Sequence, residues 1–395
     1  MQRQTVIVAA KRTPIGAFQG CLSTLSAPHL GAVAIKAVLN ETNIDLEEVD
    51  EVILGNVLSA GLGQAPARQA AIYSGLPNSV ETTTVNKMCG SGLKAVMLAD
   101  QSIRGCDSHI VVAGGMESMS NAPYLLPNAR GGQRLGHGKM IDSMIHDGLW
   151  DAYNKKHMGN CAEMLCLDRN YTRKSQDEFA ITSYNRALTA LEDGVFINEI
   201  TTIEIHQKKG DSVMISEDEE PRKVRFEKIP TLLPAFEKKG VITAANASKL
   251  NDGAAVVLAM SAEKAKELGI KPLVKIVAHA SAAHEPEWFT TAPGKAIDKV
   301  LIKANLNVED IDIWEINEAF AAVTMAAIDD YNIDPEKVNI YGGSIAIGHP
   351  IGASGARVLT TLVNGLTRNH NSKYGLATLC IGGGEASAII VKKYD

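Results

Sequence analysis

Apolar positions along the chain fall into two alternating registers. Short β-branched runs are followed by longer stretches in which apolar residues recur every three or four positions. In the first part this predicts strands over 5–10, 49–57, 80–86 and 109–115, and helices over 28–39, 65–74 and 91–104. The first ten residues read directly as a strand. The texture changes over 120–250, where glycines, methionines and charged clusters such as Glu217-Asp218-Glu219-Glu220 dominate. Two helices are predicted there, over 157–169 and 175–192, the second opened by a capping box at Ser175-Gln176-Asp177-Glu178. The alternation resumes with a strand over 253–261 and a helix over 262–268. It continues through strands 273–281, 311–316, 338–341 and 375–380 and helices 293–304, 319–330 and 353–366. Such alternation implies an α/β fold with parallel strands and helices on both faces.

The two series resemble each other. Residues 85–115 run strand, Gly90-Ser91-Gly92, helix, strand, Gly114-Gly115. Residues 338–384 run strand, glycine-rich loop, Ala353-Ser354-Gly355, helix, strand, Gly382-Gly383-Gly384. The match predicts an internal duplication with an inserted cover. The expected units are 1–119 plus 251–272, an insertion 120–250, and 273–395. A ligand site between the halves would receive loops from both.

Bulk properties narrow the function. A chain of 395 residues with 45% hydrophobic and 21% charged residues reads as a globular protein with a large core. A net charge of −6 argues against a general nucleic-acid or membrane-surface binder. The chain shows no signal-peptide pattern, no bilayer-length apolar run and no C-terminal peroxisomal tripeptide. Cys21, Cys89, Cys106, Cys161, Cys166 and Cys380 lack zinc-ligand or redox-pair spacing. Reduced, individually placed thiols in a cytoplasmic protein without a metal site are expected.

Four stretches carry candidate chemistry. Cys89 lies between a β-branched run and the helix start at Gly90-Ser91-Gly92, where free N–H groups and the helix dipole favour a thiolate. A buried structural thiol fits the same position equally well. The run 90–95 also matches a loose dinucleotide fingerprint, but the next strand ends in glycines rather than an acid, which argues against that ligand. His349 is pinned between Gly348 and Pro350 ahead of a helix, either as an incidental turn residue or as the base for a distant thiol. Cys380 ends a strand before Gly382-Gly383-Gly384, a tight turn whose bare N–H groups could face an oxyanion. Asn317, in Trp314-Glu315-Ile316-Asn317-Glu318-Ala319-Phe320, could cap the following helix or hold a water or carbonyl. Glu318 could organise the site or favour the helix N-terminus.

Taken together and in this order, these four stretches resemble the thiolase family over essentially the whole chain. His157-Met158-Gly159 and Thr243-Ala244-Ala245-Asn246-Ala247-Ser248 resemble its short-chain members, which act on acetyl-CoA and acetoacetyl-CoA. The resemblance implies a thiolase fold: a duplicated five-layered α-β-α-β-α core with an inserted loop domain, assembled as a homotetramer, a dimer of dimers. It implies Cys89 as the acylated nucleophile, His349 as its base, and Cys380 as acid and base at the α-carbon of the second substrate. It further implies Asn317 as a water holder and the N–H groups of Cys89 and Gly382 as oxyanion donors. Coenzyme A is the expected binding and leaving group, with no metal or redox cofactor.

The same resemblance assigns Leu149, His157, Met158, Arg222 and Ala235 to coenzyme A, together with Phe236, Ser248, Ala319 and Phe320. Ser248 would meet the pantetheine, and Arg222 is the looser match. Some short-chain members bind potassium near Ala244, Ala245 and Ala247 with help from a tyrosine, whose place Pro221 takes here. Tyr341 and Ser344 depart from the usual pattern at positions that align with no reacting group. Phe289 matches a position beside the acyl pocket and is expected to set tolerance for an α-methyl branch. The competing readings are a longer-chain 3-ketoacyl-CoA thiolase and a catalytically silent acyl-CoA-binding protein. A decarboxylating ketoacyl synthase is disfavoured by Cys380.

Overall fold

The computed structural model describes residues 3–207 and 210–394; Met1 and Gln2, read above as part of the first strand, lie outside them. The first half contains β1 (Thr5–Arg12), β2 (Gly16–Ala17), α1 (Ala27–Thr42), β3 (Glu51–Gly55), α2 (Pro66–Tyr73), β4 (Glu81–Val85), α3 (Ser91–Gly105) and β5 (Ile110–Ser118). Three two-stranded ribbons follow: β6 (Tyr124–Leu125) with β7 (Ile141–Asp142), β8 (Trp150–Asp151) with β9 (Lys156–His157), and β10 (Ile203–Ile205) with β11 (Val213–Ile215). Among them lie α4 (Met158–Arg169) and α5 (Arg173–Glu192). Among the described residues, 120–250 adds no strand to the large sheet. Then come β12 (Asn251–Ser261), α6 (Ala262–Glu267), β13 (Val274–Ala283), α7 (Ala292–Ala304), β14 (Ile313–Ile316), α8 (Ala321–Tyr331), α9 (Ser354–Arg368), β15 (Tyr374–Ile381) and β16 (Glu385–Lys393).

The strand order carries the duplication. The first half runs β4-β3-β5-β12-β1, and the second runs β14-β15-β16-β13 with Val338 bridged to Trp314 on the outside. Counted along the chain, both halves are ordered third, second, fourth, fifth, first. Both have antiparallel partners around the fifth strand and parallel ones beyond the fourth. Each first strand also carries the same register break, between Ile7 and Ala9 in β1 and between Ile276 and Ala278 in β13. The halves join through β1 and β13, at Val6 with Lys275 and Ile7 with Val274.

Strand alternation builds the layers. Val6, Val52 and Leu54 face α1 and α2, whereas Ile7 and Ile53 face α3 and α9. In the second half Leu376 faces α7 and α8, whereas Ala377 and Leu379 face the same central pair. The result is five layers, with α3 and α9 between the two half-sheets. These helices cross closely at their first turns. A Cβ on Gly92 would lie 2.9 Å from the Ala356 N, and one on Gly355 only 2.5 Å from the Leu93 N. Since Cys89 precedes α3 and His349 precedes α9, this crossing brings the two loops together.

Three expectations are corrected. Residues 338–341 form no strand: Val338 makes one bridge, and the Asn339 side chain then replaces the backbone, accepting from the Ile316 N–H and donating to the Ile316 carbonyl, each at 2.8 Å. The predicted capping box at Ser175 is displaced. Helix α5 begins at Arg173 because Thr172 is its cap, accepting from the Ser175 N–H at 3.1 Å. Finally, β16 was not predicted; Gly383 (φ 92°) and Gly384 (φ 83°) turn the chain back so that it pairs along β15.

Candidate active site

Cys89 sits in a sharp turn between β4 and α3. Met88 takes a left-handed backbone (φ 47°), and the Ser91 hydroxyl donates to the Met88 carbonyl at 2.6 Å while accepting the Lys87 N–H at 2.8 Å. A Cβ on Gly90 would meet the Ile381 side chain at 2.3 Å, so the turn packs directly against β15 of the other half. The half-buried sulfur faces the N–H groups of Gly382 and of Cys89 itself. Burial nevertheless prevails, and the thiol is pushed up to about 11. The expected resting thiolate is thereby corrected: Cys89 rests as a thiol and needs a base.

His349 supplies an acceptor. Its ring is buried, its backbone N–H donates to Asn251 Oδ1 at 2.8 Å, and Gly348 before it takes a conformation (φ 121°) open to glycine. The Ser354 hydroxyl donates to the Pro350 carbonyl at 2.9 Å, so it accepts from His349 Nδ1–H at 2.6 Å. That leaves His349 Nε2 as a proton acceptor. Burial, and secondarily the charge of Arg357, lower the imidazole to about 3, so it is neutral at physiological pH.

Cys380 is buried at the end of β15, raised well above an ordinary thiol by burial and then by the repulsion it would meet from an ionised Cys89. Asn317 is fully buried after β14. It does not cap α8, which starts at Ala321 with Phe320 as its cap residue. Its Oδ1 accepts from Ser344 Oγ at 2.6 Å, and its Nδ2 has no partner among the described residues. Glu318 is buried and organises the loop before His349, accepting from the Ile345 N–H at 3.1 Å and Ser183 Oγ at 2.7 Å.

Cys89, His349 and Gly382 open on one cavity of about 290 Å³. Leu149, His157, Met158, Phe236 and Ser248 line it from the insertion, and Ala319 and Phe320 from the second half, with Phe236 packed edge-on against Phe320 at 6.0 Å. His157 caps α4 by accepting the Gly159 N–H at 3.0 Å, which leaves its Nε2 as a donor, and its ring stacks on Phe236 at 4.9 Å. The Ser248 N–H donates to the Ala319 carbonyl at 2.9 Å. Phe289 lines the cavity, edge-on to Phe320. Ala235 stands just behind, bonded through its N–H to the Ile242 carbonyl at 2.8 Å. Arg222 does not line this cavity; it is an exposed residue paired with Glu217 at 2.8 Å.

Several functional contacts escaped the sequence reading. Glu117 is buried in β5, accepts the N–H groups of Val57, Leu58 and Gly352, and is raised by burial to about 7. It ties the first half to the loop carrying His349. Ser354, Ser344 and Lys249 were also missed. The advance signals for Ser354 were its place five residues after His349 and the match of Ala353-Ser354-Gly355 to Gly90-Ser91-Gly92.

Comparison with known proteins agrees with this geometry. The model of the thiolase N-terminal domain matches residues 5–263, and that of the thiolase C-terminal domain matches 270–393. The chain is 51% identical over 392 residues to an acetyl-CoA acetyltransferase of Pseudomonas aeruginosa, covering 99% of this chain and 100% of that one. It superposes on the crystal structure of an acetyl-CoA acetyltransferase of Bacillus anthracis with a TM-score of 0.97, at 41% identity, covering 100% of this chain and 99% of that one. It also superposes on a thiolase of Ascaris suum in complex with coenzyme A with a TM-score of 0.94, at 43% identity, covering 99% and 100%. Two thiols and a neutral imidazole delivered by a duplicated core, and full-length matches on both halves, lead to one conclusion: the chain belongs to the thiolase family.

Proposed function

We propose that the protein is an acetyl-CoA C-acetyltransferase, which condenses two acetyl-CoA to acetoacetyl-CoA and CoA and runs the reverse thiolysis. The observation that carries this reading is the meeting of Cys89, from the first half, with a neutral His349 and with Cys380, from the second.

His349 Nε2 takes the Cys89 proton, and the sulfur attacks the thioester carbonyl of the first acetyl-CoA. The oxyanion lies against the N–H groups of Cys89 and Gly382, which already face the sulfur. The carbon–sulfur bond to coenzyme A breaks, and Cys380 protonates the departing thiolate. Cys380, now a thiolate, removes an α-proton from the second acetyl-CoA. The enolate oxygen is met by the imidazolium Nε2–H and by a water on the unpartnered Asn317 Nδ2. The enolate carbon attacks acetyl-Cys89, and the released sulfur recovers its proton from His349. Every group ends as it began.

Coenzyme A is assigned to Leu149, His157, Met158, Phe236, Ser248, Ala319 and Phe320, with Ala235 behind them; Arg222 receives no role. The short-chain reading is supported by Phe289, buried in the cavity against Phe320, which leaves little room beyond an acetyl or acetoacetyl group. The same ring would limit an α-methyl branch. The three units 1–119 with 251–272, 120–250 and 273–395 are proposed as domains. A homotetramer is supported by the unpaired edge of β4 and by the exposed Tyr124, Leu126, Leu135 and Met140. A cytoplasmic location is supported by six unpaired cysteines; no helix among the described residues is long and apolar enough to cross a membrane.

Intact-mass measurement after mixing with acetyl-CoA tests the reading. One acetyl group mapped to Cys89 is expected, and its absence in folded protein removes the covalent mechanism. A kcat/KM higher for a long-chain 3-ketoacyl-CoA than for acetoacetyl-CoA would replace the short-chain assignment.

A further inference from the structure

The mechanism leaves one cavity-lining cation without a task. Lys249 follows Ser248 directly, in the loop whose Ala247 bridges Phe320. Its ammonium donates to the Ile345 carbonyl at 3.1 Å and contacts the Tyr184 hydroxyl, with the nitrogen 5.1 Å from the centre of the Tyr184 ring. Glu220 is close enough for each charge to stabilise the other. Burial works against the charged ammonium, so these oxygens hold a cation that water would otherwise hold. Ile345 lies four residues before His349 in the loop gripped by Glu318. Lys249 therefore links three elements: the Ser248 loop, the His349 loop and α5.

A carbonyl, a phenol and a carboxylate form a hard oxygen environment with one negative charge, suited to a small monovalent cation. Pro221, next to Glu220, is buried and brings no side-chain oxygen. We propose that Lys249 is a tethered monovalent cation. Its ammonium fills the oxygen-lined position between the Ser248 and His349 loops, so the protein needs no dissolved potassium. Shortening the side chain opens that position to a free ion. The proposal rests on the functional reading only in placing coenzyme A against Ser248.

The test compares wild type, Lys249→Ala and Lys249→Met in sodium, potassium and methylammonium chloride at one ionic strength. The readouts are the thermal midpoint and the KM for coenzyme A in thiolysis. Wild type is expected to be indifferent to the salt. Loss of a charge-assisted hydrogen bond should raise the KM of Lys249→Ala in sodium by about tenfold or more. Potassium or methylammonium should recover most of that loss and raise the midpoint. Lys249→Met, whose neutral chain still occupies the space, should show no recovery. Potassium activation of wild type would overturn the proposal. So would equal behaviour of Lys249→Ala in all three salts, equal recovery of both variants, or a Lys249→Ala chain that folds in none of the salts while Lys249→Met folds in all. The midpoint needs no turnover: were Cys89 never acetylated, the functional reading would fall while the cation-dependent midpoint still decided this one.

Discussion

Ser344 Oγ donates to Asn317 Oδ1 at 2.6 Å, and that bond decides which way the buried amide is turned. With Oδ1 occupied, Nδ2 is the end left for a water or substrate oxygen. Ser344 was discounted in the sequence as aligning with no reacting group; it instead orients the candidate Asn317. Ser344→Ala frees the amide to flip. Condensation should slow about fivefold to tenfold, the scale of one buried hydrogen bond of about 1 kcal/mol. The rate of Cys89 acetylation should stay within about twofold, because in the proposed mechanism Asn317 serves only the enolate step. Stopped-flow acetylation measured beside steady-state condensation checks this, and equal loss in both steps refutes it.

Cys380 is set apart from Cys89 by its deeper burial. Cys380→Ser keeps the shape but replaces the thiol with a far weaker acid. The coenzyme A thiolate needs little help to leave, so Cys89 should still be acetylated. Condensation should fall by at least about a thousandfold, the upper part of what one positioned acid–base group contributes. Loss of acetylation in a folded Cys380→Ser protein would contradict the separate roles.

Ser354 fixes the tautomer of His349. Without it, Nδ1–H has no acceptor and Nε2 can carry the proton instead. Ser354→Ala should lower the acetylation rate about tenfold to a hundredfold, up to the lower end of what general base catalysis contributes, because the base is misoriented rather than removed. The KM for acetyl-CoA should change little, since Ser354 does not line the cavity. Ser354→Thr, which restores a hydroxyl, should recover much of the loss.

These residues mark where the sequence was legible. Alternation of apolar runs located the helices and the strands of the large sheet other than β2 and β16, because those strands face helix layers; the short ribbons β6 to β11, which pack into no such layer, left no signal. Residues 338–341 misled because Val338 pairs at one residue and Asn339 continues the contact with its side chain, a substitution no apolar pattern encodes. The candidate residues Cys89, His349 and Cys380 were legible because glycines crowd around them for steric reasons. Their supports were not. Ser344, Ser354, Glu117 and Lys249 act through partners in distant elements, such as Lys249 on Ile345 or Glu117 on Gly352. Nothing local distinguishes such a serine or lysine from a solvated one.

The resting state of Cys89 has a pH signature. With the thiol at about 11 and His349 at about 3, thiol and neutral imidazole coexist across the physiological range. Raising pH through 7 to 10 increases the thiolate fraction about tenfold per unit, because the group titrates above that window. Alkylation of Cys89 by iodoacetamide, mapped by mass spectrometry, should therefore keep rising to pH 10. A plateau near pH 7 would mean that the helix start and its N–H groups outweigh burial after all.

The crossing of α3 and α9 should be the least tolerant contact in the central layer. A Cβ at Gly355 would meet the Leu93 N at 2.5 Å and the Leu93 Cβ at 2.7 Å. Backbone cannot swing aside as a side chain would, so Gly355→Ala must push the helices apart. The expected loss is about 1–3 kcal/mol of stability, seen as a lower thermal midpoint. Because Cys89 and His349 sit on the loops just before these helices, acetylation should fall in addition. Gly365→Ala, on the same helix, is the control. Its Cβ would meet only side-chain ends, the edge of the Tyr341 ring at 3.3 Å and Ile313 Cδ1 at 3.7 Å, while alanine gains about 1 kcal/mol of helix propensity. Gly365→Ala should stay within about 1 kcal/mol of wild type and keep full acetylation. If both variants lose the same stability, the cost belongs to the helix at large and not to its crossing with α3.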